Sequence, residues 1–334
     1  MERGEKKEEE KVGASRLTAE LKNTMEVDDM LSIEPFDGHL GATVTGVDTS
    51  KPLSDSAFGQ ILAAIGRYGL VRFPDQKLTP EQQKAFSVRF GTVPPIRGRL
   101  AKFVAPGVPE VNLLTNEKSM DGEPLGATDA GVIWHTDMVH DQIPGFANVL
   151  YCLKIPRRDG KVLGATEFVN LKASYDSLPD DVKARLDGVY GIYTGEDYMK
   201  VERKPVGGGA SHKSDAREPV THPVVLVHPI SGEKVLYCDL GHVDRIEGGG
   251  LSETEAAELL TLLLENHMKP ENRYMHRWTE GDLAIWDNLR TLHHAIFDYG
   301  KDEIRSMWRC QVRGEKVFDP AFIKSALAGA QATV

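Results

Sequence analysis

Residues 281–314 read GDLAIWDNLRTLHHAIFDYGKDEIRSMWRCQVRG, and this stretch indicates the fold class most directly. Its two apolar runs, at 282–287 and 306–314, have the length of strands and are bounded by Gly, Asp and Asn, which favour turns. Further strand-like runs stand at 146–153, 165–170, 222–229 and 234–239. Because helices do not alternate regularly with these runs, the pattern predicts a mainly β (α+β) sandwich or jelly roll and not a doubly wound sheet.

The rest of the chain divides into one domain and its flanking segments. Apolar residues recur at helical spacing in 54–69, 79–91, 171–188 and 252–268. We expect residues 31–320 to form a single domain into which the last two helical segments are inserted. Residues 1–30 alternate Glu and Lys and predict a charged, disordered tail, and 321–334 predict a C-terminal tail. The polar, Gly-rich segment 200–219 is too long for an ordinary connection and predicts a lid over a pocket, with a disordered loop as the alternative.

The composition argues against several classes of partner. The chain has 334 residues, of which 40% are hydrophobic, and its net charge of −10 argues against nucleic acid. No apolar run reaches the length of a membrane span, and the charged N-terminus lacks the apolar segment of a secretion signal. Cys152, Cys238 and Cys310 lie far apart, which indicates free thiols in a reducing compartment. We therefore expect a cytoplasmic protein that does not act at a membrane.

The sequence V132-I-W-H-T-D-M-V-H140 places two potential metal ligands, His135 and Asp137, one residue apart. Side chains at i and i+2 of a strand share a face, so in a strand both would point toward the same ion. The spacing alone is weak evidence, because His242 and Asp244 repeat it. Either pair can also be polar residues that hold no metal.

A third ligand is available in the C-terminal stretch, where His293 and His294 follow the W-D-N turn. Two histidines and one carboxylate on one face of a metal form the facial triad typical of non-haem Fe(II) oxygenases. Zinc hydrolases use the same residue types, so the triad leaves the metal open. Arg305 and Arg309 follow at i and i+4; in a strand both could enter the pocket and bind anionic groups, although ion-paired surface arginines show the same spacing.

Five motifs stand in order along the chain: W134-H-T-D137, G164-A-T166-E-F, H222-P-V-V-x-x-H-P-x-S-G, W286-D-N-x-x-T-x-H293 and R305-S-M-W-R309. Together they resemble the TauD/TfdA family of Fe(II)/2-oxoglutarate-dependent dioxygenases, from about Leu31 to Gly314. Each motif is weak alone, whereas five in register are specific. The resemblance implies a double-stranded β-helix, the jelly roll of clavaminate synthase-like proteins, with helical insertions.

The resemblance also implies roles for individual residues. His135, Asp137 and His293 correspond to the Fe(II) ligands of the family. Thr166 and Arg305 correspond to the threonine and arginine that hold the distal carboxylate of 2-oxoglutarate. The interval between His293 and Arg305 is one residue longer than the family spacing, so this match requires a bulge or a longer loop.

The substrate contacts depart from the family pattern. Arg309 corresponds to a second arginine, which contacts the anionic group of the substrate in the sulfonate and sulfate members. Where the taurine-oxidising members carry polar residues before the Trp-His pair, this chain has apolar ones, including Val132 and Ile133. With Arg97 as a further candidate contact, these residues predict a small organic substrate with an apolar body and an anionic group.

The implied reaction consumes 2-oxoglutarate and O2, hydroxylates the substrate with or without oxidative cleavage, and releases succinate and CO2. Family habit predicts a homo-oligomer, either a dimer or a tetramer. One alternative is a metal-dependent hydrolase or isomerase on a cupin-like barrel, which would leave Thr166 and Arg305 without a purpose. Another is a non-catalytic binding protein that has kept the fold, against which the complete triad argues.

Overall fold

The computed structural model describes residues 31–128, 130–194 and 218–331. The predicted tail at 1–30, and all but the last two residues of the predicted lid at 200–219, lie outside these ranges. Within them, no helix combines the length and the apolar character that a membrane crossing requires.

The described residues contain six α-helices, two short 3-10 turns (Gly98–Leu100 and Pro270–Asn272) and eighteen strands. The helices are α1 Asp55–Tyr68, α2 Pro80–Ser87, α3 Leu171–Asp176, α4 Asp180–Ala184, α5 Glu253–His267 and α6 Pro320–Gln331. The strands are β1 Ser32–Pro35, β2 Ala42–Thr45, β3 Leu70–Phe73, β4 Val104–Ala105, β5 Val108–Thr115, β6 Ala147–Lys154, β7 Arg157–Arg158, β8 Lys161–Val162, β9 Thr166–Asn170, β10 Val189–Tyr193, β11 Val220–Pro223, β12 Val225–Val227, β13 Lys234–Leu236, β14 Arg245–Gly248, β15 Arg273–His276, β16 Leu283–Asp287, β17 Thr291–Ala295 and β18 Ser306–Val312.

Eight strands form the main sheet, in the order β1-β2-β3-β16-β6-β18-β5-β4. Its neighbouring strands are antiparallel except β2 and β3, which are parallel. The central strand β16 is buried on both faces. Leu283 and Ile285 pack in the same cluster as α1 and α2, whereas Ala284 and Trp286 pack in the cluster on the opposite face. Burial on both faces explains why the central strands consist of nearly continuous apolar residues.

A second sheet, in the order β15-β9-β17, packs against the opposite face of the main sheet. Its central strand β9 is buried along its whole length, and Phe168 of β9 contacts Trp286 of β16 with ring centroids 5.5 Å apart. The predicted two-layer arrangement of short strands is therefore confirmed. The remaining strands form three small sheets, and the cluster under α4 and α5 includes residues of β10, β13 and β14.

Two of the predicted helical segments differ in extent from the structure. The segment 79–91 begins as expected with a capping box between Thr79 and Gln82, but its helix ends at Ser87. The segment 171–188 contains two short helices and not one, because Pro179 lies between them. Proline disfavours helical backbone in the residue before it and has no N–H to donate.

The predicted C-terminal tail at 321–334 is wrong for the residues up to Gln331, which belong to α6. Phe322 contacts a phenylalanine of α1 with ring centroids 6.2 Å apart. The two helices meet so closely at Gly59 that a Cβ atom there would lie 2.4 Å from the carbonyl oxygen of Ala326. The apolar side chains of α6 thus add to the core and do not extend into solvent.

Candidate metal centre

His135 and His293 are brought together by the backbone. They form an isolated antiparallel bridge in which the N–H of His135 donates to the carbonyl of His293 at 3.1 Å, and the N–H of His293 donates to the carbonyl of His135 at 2.8 Å. Residues paired in this way face each other directly, and the two imidazole centroids lie 4.1 Å apart. Both side chains are buried.

The turn that follows β16 sets the direction of β17, which carries the second of these histidines. The carboxylate of Asp287 accepts a hydrogen bond from the N–H of Leu289 at 2.8 Å and pairs with buried His228 at 2.7 Å. The carbonyl of Asn288 accepts a hydrogen bond from the hydroxyl of Thr136 at 2.8 Å. The W-D-N turn therefore holds both β17 and the loop that carries the first histidine.

Asp137 completes a three-ligand group. Its Oδ1 lies 3.8 Å from Nε2 of His135, and its Oδ2 lies 3.6 Å from Nε2 of His293. Within the described ranges these three form the single group of potential ligands whose donor atoms all lie within 4.8 Å of one another. With bonds of about 2.0–2.2 Å, neighbouring ligands of one ion lie about 3 Å apart, so separations of 3.6 and 3.8 Å need only small side-chain movements to suit a common metal. Two imidazoles and one carboxylate match the facial triad of non-haem iron.

The protonation states also suit a divalent metal. Nδ1 of His135 donates to the carbonyl of Ile133 at 2.8 Å, which leaves the Nε2 lone pair for coordination. Burial lowers the pKa of His135 and of His293 and keeps both imidazoles neutral. Burial alone would raise the pKa of Asp137, but the charge of the neighbouring Arg309 opposes it, and that pKa lies well below its usual range. Neutral imidazoles and an ionised carboxylate are the forms that bind metal.

The strand geometry predicted for His135 and Asp137 is wrong, although the two side chains converge. Apart from the single bridge, residues 130–141 contain turns, bends and irregular backbone where they are described. Directly after Asp137, Met138 has a φ of 61°, a left-handed conformation that bends the chain sharply. The side chains of His135 and Asp137 therefore converge because the His135–His293 bridge holds an irregular loop in place, and not because the two residues lie on a regular strand.

The rival pair, His242 and Asp244, does not converge. Nδ1 of His242 lies 2.5 Å from a carboxylate oxygen of Asp239, whereas the carboxylate of Asp244 accepts a hydrogen bond from the N–H of Thr194 at 2.6 Å. Neither member of the pair belongs to the three-ligand group of the described residues.

A cavity beside the triad lies between the two sheets. Its lining residues are Leu114, Ala130, Gly131, His135, Leu150, Thr166, Trp286, His293, Ala295, Arg305 and Arg309. The walls are mainly apolar, and the polar groups are a threonine, the two histidines and two arginines. A concave apolar space with a few converging polar groups is typical of a small-molecule site.

Arg305 contributes a buried cation to this cavity. Its Nε donates to the carbonyl of Gly164 at 3.0 Å, and the N–H of Gly164 donates to Asp298 at 2.7 Å. Burial lowers the pKa of Arg305, opposed by the neighbouring Tyr299. The register of β18 shifts at Ser306, the next residue, and Arg305 and Arg309 both reach the cavity. A guanidinium in this setting can bind a carboxylate in a bidentate manner.

Thr166, the first residue of β9, lines the cavity with a buried hydroxyl. The hydroxyl oxygen accepts a hydrogen bond from Nε1 of Trp278 at 3.0 Å. A hydroxyl that accepts one hydrogen bond can still donate one, so the arrangement orients Thr166 as a donor to a ligand. Sequence reasoning missed Trp278, because the partners are 112 residues apart and no local pattern connects them.

Arg309 connects the cavity to the metal ligands. Its NH1 lies 3.4 Å from Oδ2 of Asp137, and its NH2 donates to the side-chain oxygen of Asn112 at 3.4 Å. Asn112 is fully buried and was not identified from the sequence. The guanidinium therefore balances the charge of the Asp137 carboxylate, a potential metal ligand, and also lines the cavity.

Three predicted substrate contacts lie elsewhere. Arg97 is exposed, and neither it nor Val132 nor Ile133 is among the residues that line the cavity in the described structure. Ala130 and Gly131, slightly earlier in the same loop, take their place. The prediction that Arg97, Val132 and Ile133 contact substrate is therefore not supported by this geometry.

Comparison with known proteins places the chain in a family. The model of the family "Taurine catabolism dioxygenase TauD, TfdA family" matches residues 32–311. The (S)-phenoxypropionate/alpha-ketoglutarate dioxygenase of Sphingobium herbicidovorans is 30% identical over 293 residues, covering 86% of this chain and 97% of that protein. The alpha-ketoglutarate-dependent sulfate ester dioxygenase of Pseudomonas putida is 31% identical over 293 residues, covering 85% of this chain and 90% of that protein.

Solved structures agree with the sequence comparison. A taurine dioxygenase from Burkholderia xenovorans superposes with a TM-score of 0.66 at 29% identity, covering 85% of this chain and 91% of that one. AAD-2, in complex with Mn(II) and N-oxalylglycine, superposes with a TM-score of 0.69 at 27% identity, covering 86% and 98%. The predicted double-stranded β-helix is confirmed, and the comparisons support a dioxygenase and not the hydrolase or isomerase. The chain therefore belongs to the TauD, TfdA family and is a 2-oxoglutarate-dependent dioxygenase that uses Fe(II) and O2.

Proposed function

We propose that this enzyme oxidises a small organic molecule with an apolar body and an anionic group, and that His135, Asp137 and His293 hold its Fe(II). The observation that supports this most strongly is the convergence of two Nε2 atoms and one carboxylate within 4.8 Å of one another. The neutral imidazoles and the ionised Asp137 would bind the ion without first losing protons.

Arg305 and Thr166 are the proposed anchors of the cosubstrate. When bound, Fe(II) and 2-oxoglutarate together activate O2, and 2-oxoglutarate leaves as succinate and CO2. The guanidinium of Arg305 and the hydroxyl of Thr166 both line the cavity beside the triad, where they can bind the distal carboxylate. Their part is orientation, because Gly164 fixes the arginine and Trp278 fixes the threonine before the ligand arrives.

Arg309 and the apolar walls are the proposed determinants of substrate class. The lining contains Leu114 and Leu150 as well as the guanidinium of Arg309. The leucines would contact the apolar body of a substrate, and the guanidinium would bind its anionic end. The related proteins are named for phenoxypropionate, sulfate esters and 2,4-dichlorophenoxyacetate, each of which combines an anionic group with an organic body. If the enzyme hydroxylates a carbon next to a heteroatom, the unstable hydroxylated product would break down with cleavage of the carbon–heteroatom bond.

The metal and cosubstrate sites can be tested without a substrate. Under anaerobic conditions, Fe(II) and 2-oxoglutarate should produce a weak visible charge-transfer band with the wild-type protein. His135→Ala should abolish the band, whereas His39→Ala, which changes an exposed residue, should retain it. A wild-type protein without the band, or a His135→Ala variant that keeps it, would contradict the assignment.

The substrate class is tested by a panel that reads succinate release. We expect aryloxyalkanoates, alkyl sulfates or sulfonates, or acyl amino acids to increase succinate release over the uncoupled rate. Each compound should be paired with a neutral amide or ester analogue of the same size. If only neutral or cationic compounds stimulate turnover, the proposed anionic group is wrong.

We also propose a cytoplasmic enzyme that assembles as a homodimer or homotetramer. The three cysteines Cys152, Cys238 and Cys310 are all buried free thiols, which suits a reducing compartment. Light scattering coupled to size-exclusion chromatography would give the mass in solution, and a monomeric mass would contradict the assembly. Cell fractionation tests the location.

A further inference from the structure

A buried carboxylate lies directly behind the loop that carries two of the proposed metal ligands. Asp239, three residues after β13, is 1% exposed. Its Oδ2 accepts the backbone N–H of Thr136 at 3.0 Å, and Thr136 stands between the ligands His135 and Asp137. The same oxygen lies 2.5 Å from Nδ1 of His242, and Oδ1 accepts the N–H of Gly241 at 2.6 Å.

The chemistry of these contacts calls for a carboxylate. Two of the partners of Asp239 are backbone N–H groups, which can only donate, and the third is an imidazole nitrogen at hydrogen-bond distance. An ionised carboxylate has two acceptor oxygens and can accept from all three. An asparagine of the same shape has one acceptor oxygen, so its NH2 group would face at least one donor. A buried donor left without an acceptor is destabilising, so an asparagine at this position would disturb the contacts that hold Thr136, Gly241 and His242.

The turn that contains Asp239 also packs against the ligand loop. A Cβ atom at Gly241 would lie 2.5 Å from the carbonyl oxygen of Trp134, so the two backbones are in direct contact. The ring of His242 meets the ring of His135 almost perpendicularly, at 83°, with centroids 5.9 Å apart. The ring of His242 therefore limits how far the imidazole of His135 can rotate.

We propose that Asp239 and His242 are positioning residues of the metal centre, which fix the backbone of the His135–Asp137 loop and the ring orientation of His135. This inference rests on the metal site of the proposed function. It gives a role to His242, the histidine of the second H-x-D sequence, whereas Asp244 of that sequence stays outside the metal centre. Groups that orient metal ligands typically change metal affinity by about 10–100-fold when they are replaced.

The test compares Mn(II) binding by two variants with the same chemical change. Asp239→Asn should raise the Kd for Mn(II) about tenfold or more, measured from the electron paramagnetic resonance signal of unbound Mn(II). The matched control is Asp244→Asn on the same turn, because the carboxylate of Asp244 accepts from Thr194 and not from the ligand loop. The control should bind Mn(II) within about twofold of the wild type.

A spectroscopic reading separates positioning from general weakening of the fold. At saturating Fe(II) and 2-oxoglutarate, Asp239→Asn should shift the charge-transfer band, because the ligand ring has changed its orientation. Asp244→Asn should leave the band in place. Wild-type affinity and an unshifted band in Asp239→Asn would overturn the inference, and so would equal losses in Asp239→Asn and Asp244→Asn.

A second variant decides the question if Asp239→Asn fails to fold by circular dichroism. His242→Phe keeps the ring contact with His135 but removes the nitrogen that meets Asp239, and it should weaken Mn(II) binding severalfold. A folded His242→Phe protein with wild-type affinity would overturn the inference. If the wild-type protein itself binds no Mn(II), the proposed metal site fails and the positioning role fails with it.

Discussion

Gly164 holds Arg305, the proposed anchor of 2-oxoglutarate, next to the second sheet through a backbone hydrogen bond. It has a φ of 69°, which favours glycine, and its carbonyl accepts the hydrogen bond from Arg305. A Cβ atom at this position would lie 2.9 Å from Cδ of Arg305 and 3.1 Å from Nε. Any side chain at residue 164 must therefore displace the guanidinium that we assign to the distal carboxylate of 2-oxoglutarate.

We predict that Gly164→Ala raises the KM for 2-oxoglutarate about tenfold, equivalent to about 1.4 kcal/mol. The displaced Arg305 would bind the carboxylate less well, whereas the triad would be unchanged, so the Kd for Mn(II) should stay at the wild-type value. Steady-state succinate release at varied 2-oxoglutarate gives the KM. Gly160→Ala is the control, because Gly160 also has a positive φ, of 76°, but a Cβ atom there would meet nothing within 4 Å. Equal changes in both variants would refute the role of contact with Arg305.

Single residues also show what the sequence could and could not predict. The convergence of His135, Asp137 and His293 could be predicted because ligand chemistry restricts the residue types and a motif marks each position. The lining residues Leu114 and Leu150 were missed, since nothing distinguishes them from other apolar strand residues until the sheets are packed. Arg97 stays a prediction that the cavity geometry does not support, because the direction of a side chain in an irregular loop depends on backbone that no spacing rule describes.

At the scale of elements, the strands of the main sheet were the most predictable part. Strand β16 is buried on both faces and β18 along most of its length, so each appears as a compact apolar run between turn residues. The C-terminal helix was missed although its apolar residues have helical spacing, with Phe322, Ala326 and Leu327 packed against the core. The apolar face of this helix is weak and rich in Ala and Gly, so the sequence alone does not show that it is buried. Its burial becomes evident only when α1 packs against it.

Gly59 makes the α1–α6 contact possible and offers a test of it. We predict that Gly59→Val lowers the free energy of unfolding by about 1–3 kcal/mol, because the new side chain would collide with the backbone of α6. The Cβ atom alone would lie 2.4 Å from the oxygen of Ala326 and 2.8 Å from the nitrogen of Ala330. Urea denaturation measures the loss, and limited proteolysis should cut the chain faster near Pro320.

The matched control introduces the same side chain elsewhere on α1. Gln60 lies on that helix, is partly exposed and points about 100° away from Gly59, so Gln60→Val adds a β-branched residue away from the position that meets α6. It should change the free energy of unfolding by less than about 0.5 kcal/mol and leave the proteolysis rate near Pro320 unchanged. If both variants lose the same stability, the helix propensity of valine and not the contact with α6 explains the effect.

At the scale of the whole molecule, two buried histidines outside the metal ligands connect stability to pH. Burial lowers the pKa of His267 to about 4, and burial, with the charge of Arg72, lowers the pKa of His276 to about 3. His267 is held by Ser174 at 2.8 Å, and the ring of His276 packs edge-on against Trp278 with centroids 4.6 Å apart. Both positions keep a neutral imidazole in the folded protein.

The sign of the pH dependence follows from these shifts. Below the ordinary histidine pKa of 6.5, both histidines become protonated in the unfolded chain. In the folded protein they become protonated only near pH 4 for His267 and pH 3 for His276, where their pKa values lie. The free energy of unfolding of the metal-free protein should therefore fall as the pH is lowered from about 6.5, by about 1.4 kcal/mol per pH unit for each such proton. Urea denaturation at several pH values between about 5 and 7 measures this slope.

His276→Gln should reduce the slope by up to one proton, whereas His39→Gln, on the exposed surface, should keep the wild-type slope. A His276→Gln protein with the wild-type slope would show that His276 is protonated in the folded state, and the buried neutral imidazole would have to be abandoned.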